Sequence, residues 1–201
     1  MLGSQYFKKR SFTFKTFTRD FFRMMKRNSD IRDTMKSERV SRQFRQRIML
    51  AVTAVNGCRY CEWGHTKSAL NEGCSEEEIQ QIMTHDFGSC DSDEVVGLAY
   101  AQHYAETEEN PSEDAWKRLV EFYGEEKAND IQIIIEMITM GNLLGNTLDA
   151  FESRFKGLPP ENGSLLFELF LYSLALPFVL IFNNRYEKWK NLNNPHPDLQ
   201  H

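Results

Sequence analysis

Gln46-Arg47-Ile48-Met49-Leu50-Ala51-Val52-Thr53-Ala54-Val55-Asn56-Gly57-Cys58-Arg59-Tyr60-Cys61-Glu62-Trp63-Gly64-His65 decides the reading of this chain. Asn56-Gly57 is a turn signal, and the run that follows carries no proline until it stops at Gly73, so Cys58 opens a helix. At about 100° per residue, Cys58, Cys61 and His65 fall within an arc of about 60°, and Cys61 and His65 are neighbours one turn apart. One helix face therefore carries two thiols and a base. The positive end of the helix dipole and an imidazolium beside it both favour a thiolate, the form a nucleophilic cysteine needs. Against this stand a plain packing role, with cysteines as small buried hydrophobes and His65 as a structural residue, and a metal site.

Working upstream, Val40, Phe44, Ile48, Ala51, Val52 and Val55 recur at helical spacing across residues 37–55, while Met49, Leu50 and Ala54 make the second half apolar nearly all round. This is the pattern of a helix enclosed by several neighbours. With two residues between them, this helix and the cysteine helix form an antiparallel hairpin. Counting back about nine residues from Val55 at about 1.5 Å each brings Gln46 level with His65. Gln46 is thus either a partner of the imidazole or a surface glutamine.

Composition bounds the class. A chain of 201 residues, 41% hydrophobic and 26% charged, suits one well-buried soluble domain with an appendage. Four cysteines are too few for a disulfide scaffold, and CxxC is better read as redox-active or metal-binding. A net charge of −5 excludes a general nucleic-acid binder. Residues 1–28 run the other way, with Lys8, Lys9, Arg10, Lys15, Arg19, Arg23, Lys26 and Arg27 against Asp20 alone, a local balance of +7.

That basic segment also holds Phe7, Phe12, Phe14, Phe17, Phe21 and Phe22. Charges interrupt each apolar run and no small-residue cleavage site follows, so it is not read as a signal peptide, and the chain is expected in the cytoplasm. From about Thr18 it reads as an amphipathic helix packed on its own domain or oligomer, with a membrane surface as the alternative.

Downstream, helices are expected from Ser75, over residues 93–107, from Pro111 and over residues 125–155. In the last of these Gly141 and Gly145 invite close approach of another helix. Asn142 and Asn146 are read as hydrogen-bonding a loop backbone or shaping a pocket. Residues 157–163 are a linker by composition, followed by an apolar run at 165–182 that contains Glu168 and Pro177. This run is expected to be buried in an oligomer or to lie at an interface rather than to span a membrane. No strand pattern appears.

Residues 46–61 with His65-Thr66-Lys67 resemble the core of the AhpD-like alkylhydroperoxidases of the carboxymuconolactone decarboxylase superfamily. A helix ending in Asn-Gly, then CxxC, then His four residues on, is a narrower signature than CxxC alone. The resemblance covers about residues 37–155 and implies an all-α helical bundle with CxxC at the start of a core helix. The expected organisation is a basic Phe-rich helical extension (1–36), the AhpD-like core (37–157), and a C-terminal linker with an apolar helical extension (158–201). The resemblance further implies a homo-oligomer that reduces hydroperoxides through a dithiol/disulfide cycle without metal, haem or other cofactor. By the same resemblance Cys61 is the peroxidatic thiol, His65 its proton partner, and Cys58 the resolving thiol that meets the reducing partner. The reductant is a dithiol protein, lipoyl-bearing or thioredoxin-like.

The chain departs from the family pattern at Gln46, where relay-complete members carry Glu, and at Tyr60, where some carry His. Glutamine orients an imidazole but takes no proton from it. Two other readings stand beside the peroxidase. One is zinc held by Cys58, Cys61 and His65 with a fourth ligand from Cys74, Cys90, His85 or another subunit. The other is a catalytically weakened, membrane-associated or scaffold protein of the same fold.

Overall fold

A helix whose second half is apolar nearly all round has to be surrounded there, and α3 (Arg42–Asn56) is. Ser41 starts it by accepting the Phe44 amide at 3.0 Å; Gly57, at φ +70°, ends it in a left-handed turn that suits glycine. The computed structural model describes residues 6–193. Around α3 pack α4 (Arg59–Asn71), α5 (Glu76–Met83), α6 (Val95–Glu106) and α8 (Glu125–Arg154). Phe44, Ile48, Leu50, Ala51 and Val52 are fully enclosed among them. Helix α7 (Glu113–Tyr123) joins α6 to α8, and α1 (Phe14–Lys26) and α2 (Asn28–Lys36) precede the hub. The apolar run forms α9 (Leu165–Asn193), laid along α8. Among the described residues there is no strand, only an isolated bridge between Phe7 and Pro160. The fold is all-α, as the sequence predicts.

Charged side chains of α3 are buried in this fold, Arg45 and Arg47 among them. Arg47 projects from α3 and is almost completely buried, which is tolerable because its guanidinium meets Glu78, Glu94 at 2.6 Å and Asp91 at 3.1 Å. Glu78 is therefore committed to Arg47, and Ser75 caps α5 by accepting its amide at 3.1 Å.

Asn146 ties three segments together. From α8 its Nδ2 donates to the Asn56 carbonyl at 2.8 Å and to the Arg10 carbonyl at 2.9 Å. One turn earlier, Asn142 accepts from the Thr53 hydroxyl at 3.1 Å. Both amides act on backbone and helix seams, as expected of buried amides. The N-terminal segment is held again where Phe12 N–H donates to Thr147 Oγ1 at 2.9 Å, and Phe12 packs with Phe17, Leu143 and Phe167.

Several boundaries differ from the sequence reading. Helix α1 begins at Phe14 because Thr13 and Thr16 form a reciprocal cap, earlier than the hydrophobic pattern suggests. Helix α3 begins at Arg42 because Ser41, not Ser37, is the cap; Ser37 instead closes α2. Of the two glycines in α8, only Gly145 meets another element, since the nearest atom to a Cβ at Gly141 is Ile138 of the same helix at 4.0 Å.

Candidate functional site

Cys58 is the N-cap of α4, and its sulfur accepts the Cys61 amide at 3.3 Å. Its backbone is extended before the helix starts, so the side chain folds back over the first turn toward the second cysteine. A sulfur here faces the positive end of the helix. Both thiols are free. Cys58 is fully enclosed, while Cys61 keeps partial access to solvent.

The enclosure has a specific wall. A Cβ at Gly145 would stand 2.5 Å from Cys58 Sγ and 3.2 Å from Tyr60 Cδ2, so α8 approaches this near only because residue 145 has no side chain. The roof comes from α9. Phe182 lies with its ring centroid 4.3 Å from Tyr60 and 5.4 Å from Trp63, and Val179 completes the cluster around Cys58. Arg59 holds Tyr60 in place. It donates to the phenol oxygen at 2.9 Å, to Asp149 at 2.7 Å and to Glu152 at 2.8 Å. Its guanidinium also lies over the Tyr60 ring at 4.7 Å and faces Phe182 at 5.6 Å.

His65 stands one turn beyond Cys61, and its Nδ1 lies 2.9 Å from Gln46 Oε1. The hairpin geometry thus makes Gln46 the partner of the imidazole rather than a surface residue. An amide oxygen accepts, so Nδ1 carries the hydrogen and Nε2 is left with its lone pair.

Electrostatics correct one sequence expectation. Burial lowers the His65 pKa to about 4, so the ring is neutral near pH 7 and is not the imidazolium anticipated beside the thiols. Cys61 is pushed well above the ordinary thiol range, first by its interaction with the Cys58 sulfur and then by burial. The resting site is a protonated Cys61 beside a neutral base. A carboxylate at position 46 would have stabilised the charged ring; glutamine supplies only a dipole.

Within one chain, and among the described residues, the zinc alternative finds no donor set. Cys74 and Cys90 pack in the main core around α3 and feel the charges of Arg47 and Glu78, whereas Cys58 belongs to the cluster under α9. His85 sits at φ +64° in the turn after α5. Among the described residues no three of His, Cys, Asp or Glu gather in a way suited to a metal ion.

What sequence reasoning missed is the roof. Phe178, Phe182 and Tyr186 repeat every fourth residue and stack along α9, with Phe178–Phe182 at 6.1 Å and Phe182–Tyr186 at 4.9 Å. That stripe was visible, but its target was not.

A scan against protein-family models matches residues 22–102 to the carboxymuconolactone decarboxylase family. That stretch of the chain is similar to the family's domain. The matched span runs from α1 into α6, with the α3–α4 hairpin and its dithiol inside it. A similar protein is the uncharacterized protein YdfG of Bacillus subtilis (strain 168), 28% identical over 122 residues, 59% of this chain and 82% of that protein. A second likeness is to a dynein axonemal assembly factor 1 homolog of Drosophila pseudoobscura pseudoobscura, 35% identical over 66 residues. It takes in 33% of this chain but 4% of that protein, so it says nothing of this chain's role. No solved structure matches. A likeness to the family admits an AhpD-like peroxidase, and neither relative's name assigns an activity.

Proposed function

We propose that this protein is a thiol-dependent peroxidase that reduces hydroperoxides through a Cys58–Cys61 dithiol/disulfide cycle. The observation that carries the reading is the placement of two free thiols at the start of α4 with His65 one turn beyond Cys61, its Nδ1–H taken by Gln46 and its Nε2 lone pair left free.

Cys61 is the attacking thiol, which suits its partial exposure against the complete enclosure of Cys58. Its proton passes to His65 Nε2, and the thiolate attacks the terminal peroxide oxygen. The O–O bond breaks, the alcohol leaves with a proton, and Cys61 becomes the sulfenic acid. The Cys58 sulfur then attacks Cys61 Sγ, water leaves, and the disulfide closes across one helical turn. A dithiol protein, lipoyl-bearing or thioredoxin-like, returns two electrons and two protons. Because Cys58 is sealed by Gly145 and the α9 aromatics, the reductant attacks at Cys61 or waits for α9 to move.

The first step is slow here. A neutral His65 and a raised Cys61 pKa leave little thiolate at neutral pH, and a well-matched general base is typically worth about 10²- to 10⁴-fold. The test is stopped-flow oxidation of the reduced protein by hydrogen peroxide, tert-butyl hydroperoxide and a fatty-acid hydroperoxide, followed by mass mapping of the cysteines. The expected product is an intrachain Cys58–Cys61 disulfide. Stable over-oxidation of Cys61 with Cys58 left free, or no consumption of any peroxide, refutes the cycle.

A further inference from the structure

Helix α9 is apolar on the side that packs and on the side that does not. Between Leu165 and Phe182 its one charge, Glu168, turns inward to Arg154 at 2.9 Å and is buried. The outward side presents Leu166, Phe170, Leu174 and Ile181, each more than half exposed, with Phe178 at its border toward Tyr60, and no charged group. With the neighbouring leucines this face is on the order of 1,000 Å², where monomers rarely expose more than a few hundred.

The face continues onto α1. Phe14 meets the ring of Phe167 edge-on at 5.9 Å and shares a shallow recess with Leu166 and Phe170. Phe21, Phe22 and Met25 extend the exposed apolar row.

Cations stand at its edges. Most of the N-terminal basic residues are neutralised within the fold: Lys9 by Asp149, Arg23 by Glu109, Arg27 by Glu136. Lys15 and Lys26 on α1 are exposed and make no ion pair among the described residues, and the same is true of Arg185 and Lys188 beyond the apolar stretch of α9. The basic bias of residues 1–28 is therefore partly left over after folding, and the remainder lies beside the apolar face.

We propose that the outward faces of α9 and α1 together lie on the surface of an anionic lipid membrane, in plane and not across it. Apolar side chains enter the acyl boundary while lysine and arginine meet headgroup phosphates, as for interfacial amphipathic helices. An in-plane pose keeps the Glu168–Arg154 pair and the Phe182 contacts with Tyr60 and Trp63; a spanning pose would strip them from the domain. A second copy of the chain fits less well. An antiparallel two-fold pairing of α9 brings the Arg185 end of one copy against the Lys15 end of its mate, cation to cation.

Co-flotation of the purified full chain with vesicles of phosphatidylcholine and phosphatidylglycerol, compared with phosphatidylcholine alone, tests this. Binding to the anionic vesicles is expected, and weakening in 0.5 M salt. Lys15→Gln with Arg185→Gln is expected to lower partitioning about thirtyfold, at the attraction one cation near an anionic surface supplies. Leu174→Glu is expected to abolish it while leaving the circular dichroism melt unchanged. No flotation, with a dimer in light scattering that Leu174→Glu dissociates, overturns the proposal in favour of a second copy. No flotation from a monodisperse monomer overturns it outright, as does binding that ignores both lipid charge and Leu174→Glu.

Discussion

Gln46→Glu changes an amide to a carboxylate of nearly equal volume, 2.9 Å from His65 Nδ1. The fold does not need to adjust; only the charge next to the imidazole changes. Two unit charges about 4 Å apart attract by about 4 kcal/mol at an effective dielectric constant of 20, close to a thousandfold in proton affinity. Partial burial of the new carboxylate takes back about tenfold of that, leaving roughly a hundredfold. His65, held at about 4 by burial, then returns to its ordinary range near neutrality. Cys61 gains a cation beside it, and its thiolate becomes more populated. Iodoacetamide labelling of Cys61 as a function of pH should move to lower pH, an NMR titration should show the His65 ring charging near neutrality, and peroxide reduction should accelerate by up to about 10². A variant with an unmoved His65 titration and an unmoved alkylation profile refutes the argument that the amide at position 46 sets the charge of this site. A moved titration with unchanged peroxide kinetics keeps the electrostatics and refutes the relay.

Gly145→Ala pits a helix-propensity gain of about 1 kcal/mol against overpacking of about 1 to 3 kcal/mol. The new methyl meets a sulfur fixed at a helix cap, so the net change in urea unfolding should be a loss of up to about 2 kcal/mol, with slower closure of the Cys58–Cys61 disulfide; a stabilised variant with unchanged closure contradicts it. Because folding depresses the His65 pKa from 6.5 to about 4, its stabilising contribution is complete above pH 6.5 and is lost as pH falls toward 4. The loss is at most about 3 kcal/mol, and it should vanish from the pH dependence of stability in His65→Asn. Arg154→Ala leaves the Glu168 carboxylate, 1% exposed, without its cation; thermal unfolding should register a cost of about 3 kcal/mol, largely recovered by adding Glu168→Leu, and a cost under about 1 kcal/mol would show that the pair does not anchor α9.

The parts of this site legible in the sequence are those fixed by local geometry. The Asn56-Gly57 turn, the shared face of Cys58, Cys61 and His65, and the level of Gln46 all follow from helical rise and rotation across one hairpin, and Gln46 is found within hydrogen-bonding distance of the ring. The charge state of His65 was not legible, because it depends on how much water reaches the ring, which helical spacing does not fix. The same holds for the cover over Cys58. Tyr60 and Phe182 are 122 positions apart, and nothing near either one names the other. Gly141 and Gly145 look alike in sequence; only the tertiary arrangement puts one against a sulfur and the other against its own helix. Helix α2 was overlooked because its pattern is polar and its cap weak: Arg27 makes no side-chain capping bond.

Pro177 gives α9 a mechanical character that its packing alone does not. Proline has no amide hydrogen, so the helical bond to the Ser173 carbonyl is absent and its ring crowds that turn. The Ser173 hydroxyl, turned back to the Leu169 carbonyl at 2.7 Å, loosens the same stretch. On the near side, Glu168 is bolted to Arg154; on the far side, Val179 and Phe182 rest on Tyr60. The helix is a bracket joined to a flap by a hinge at residues 173–177. Bending at residues 173–177 is therefore expected to lift the cover from Cys58 and from Leu148 of α8 while the Glu168–Arg154 pair holds.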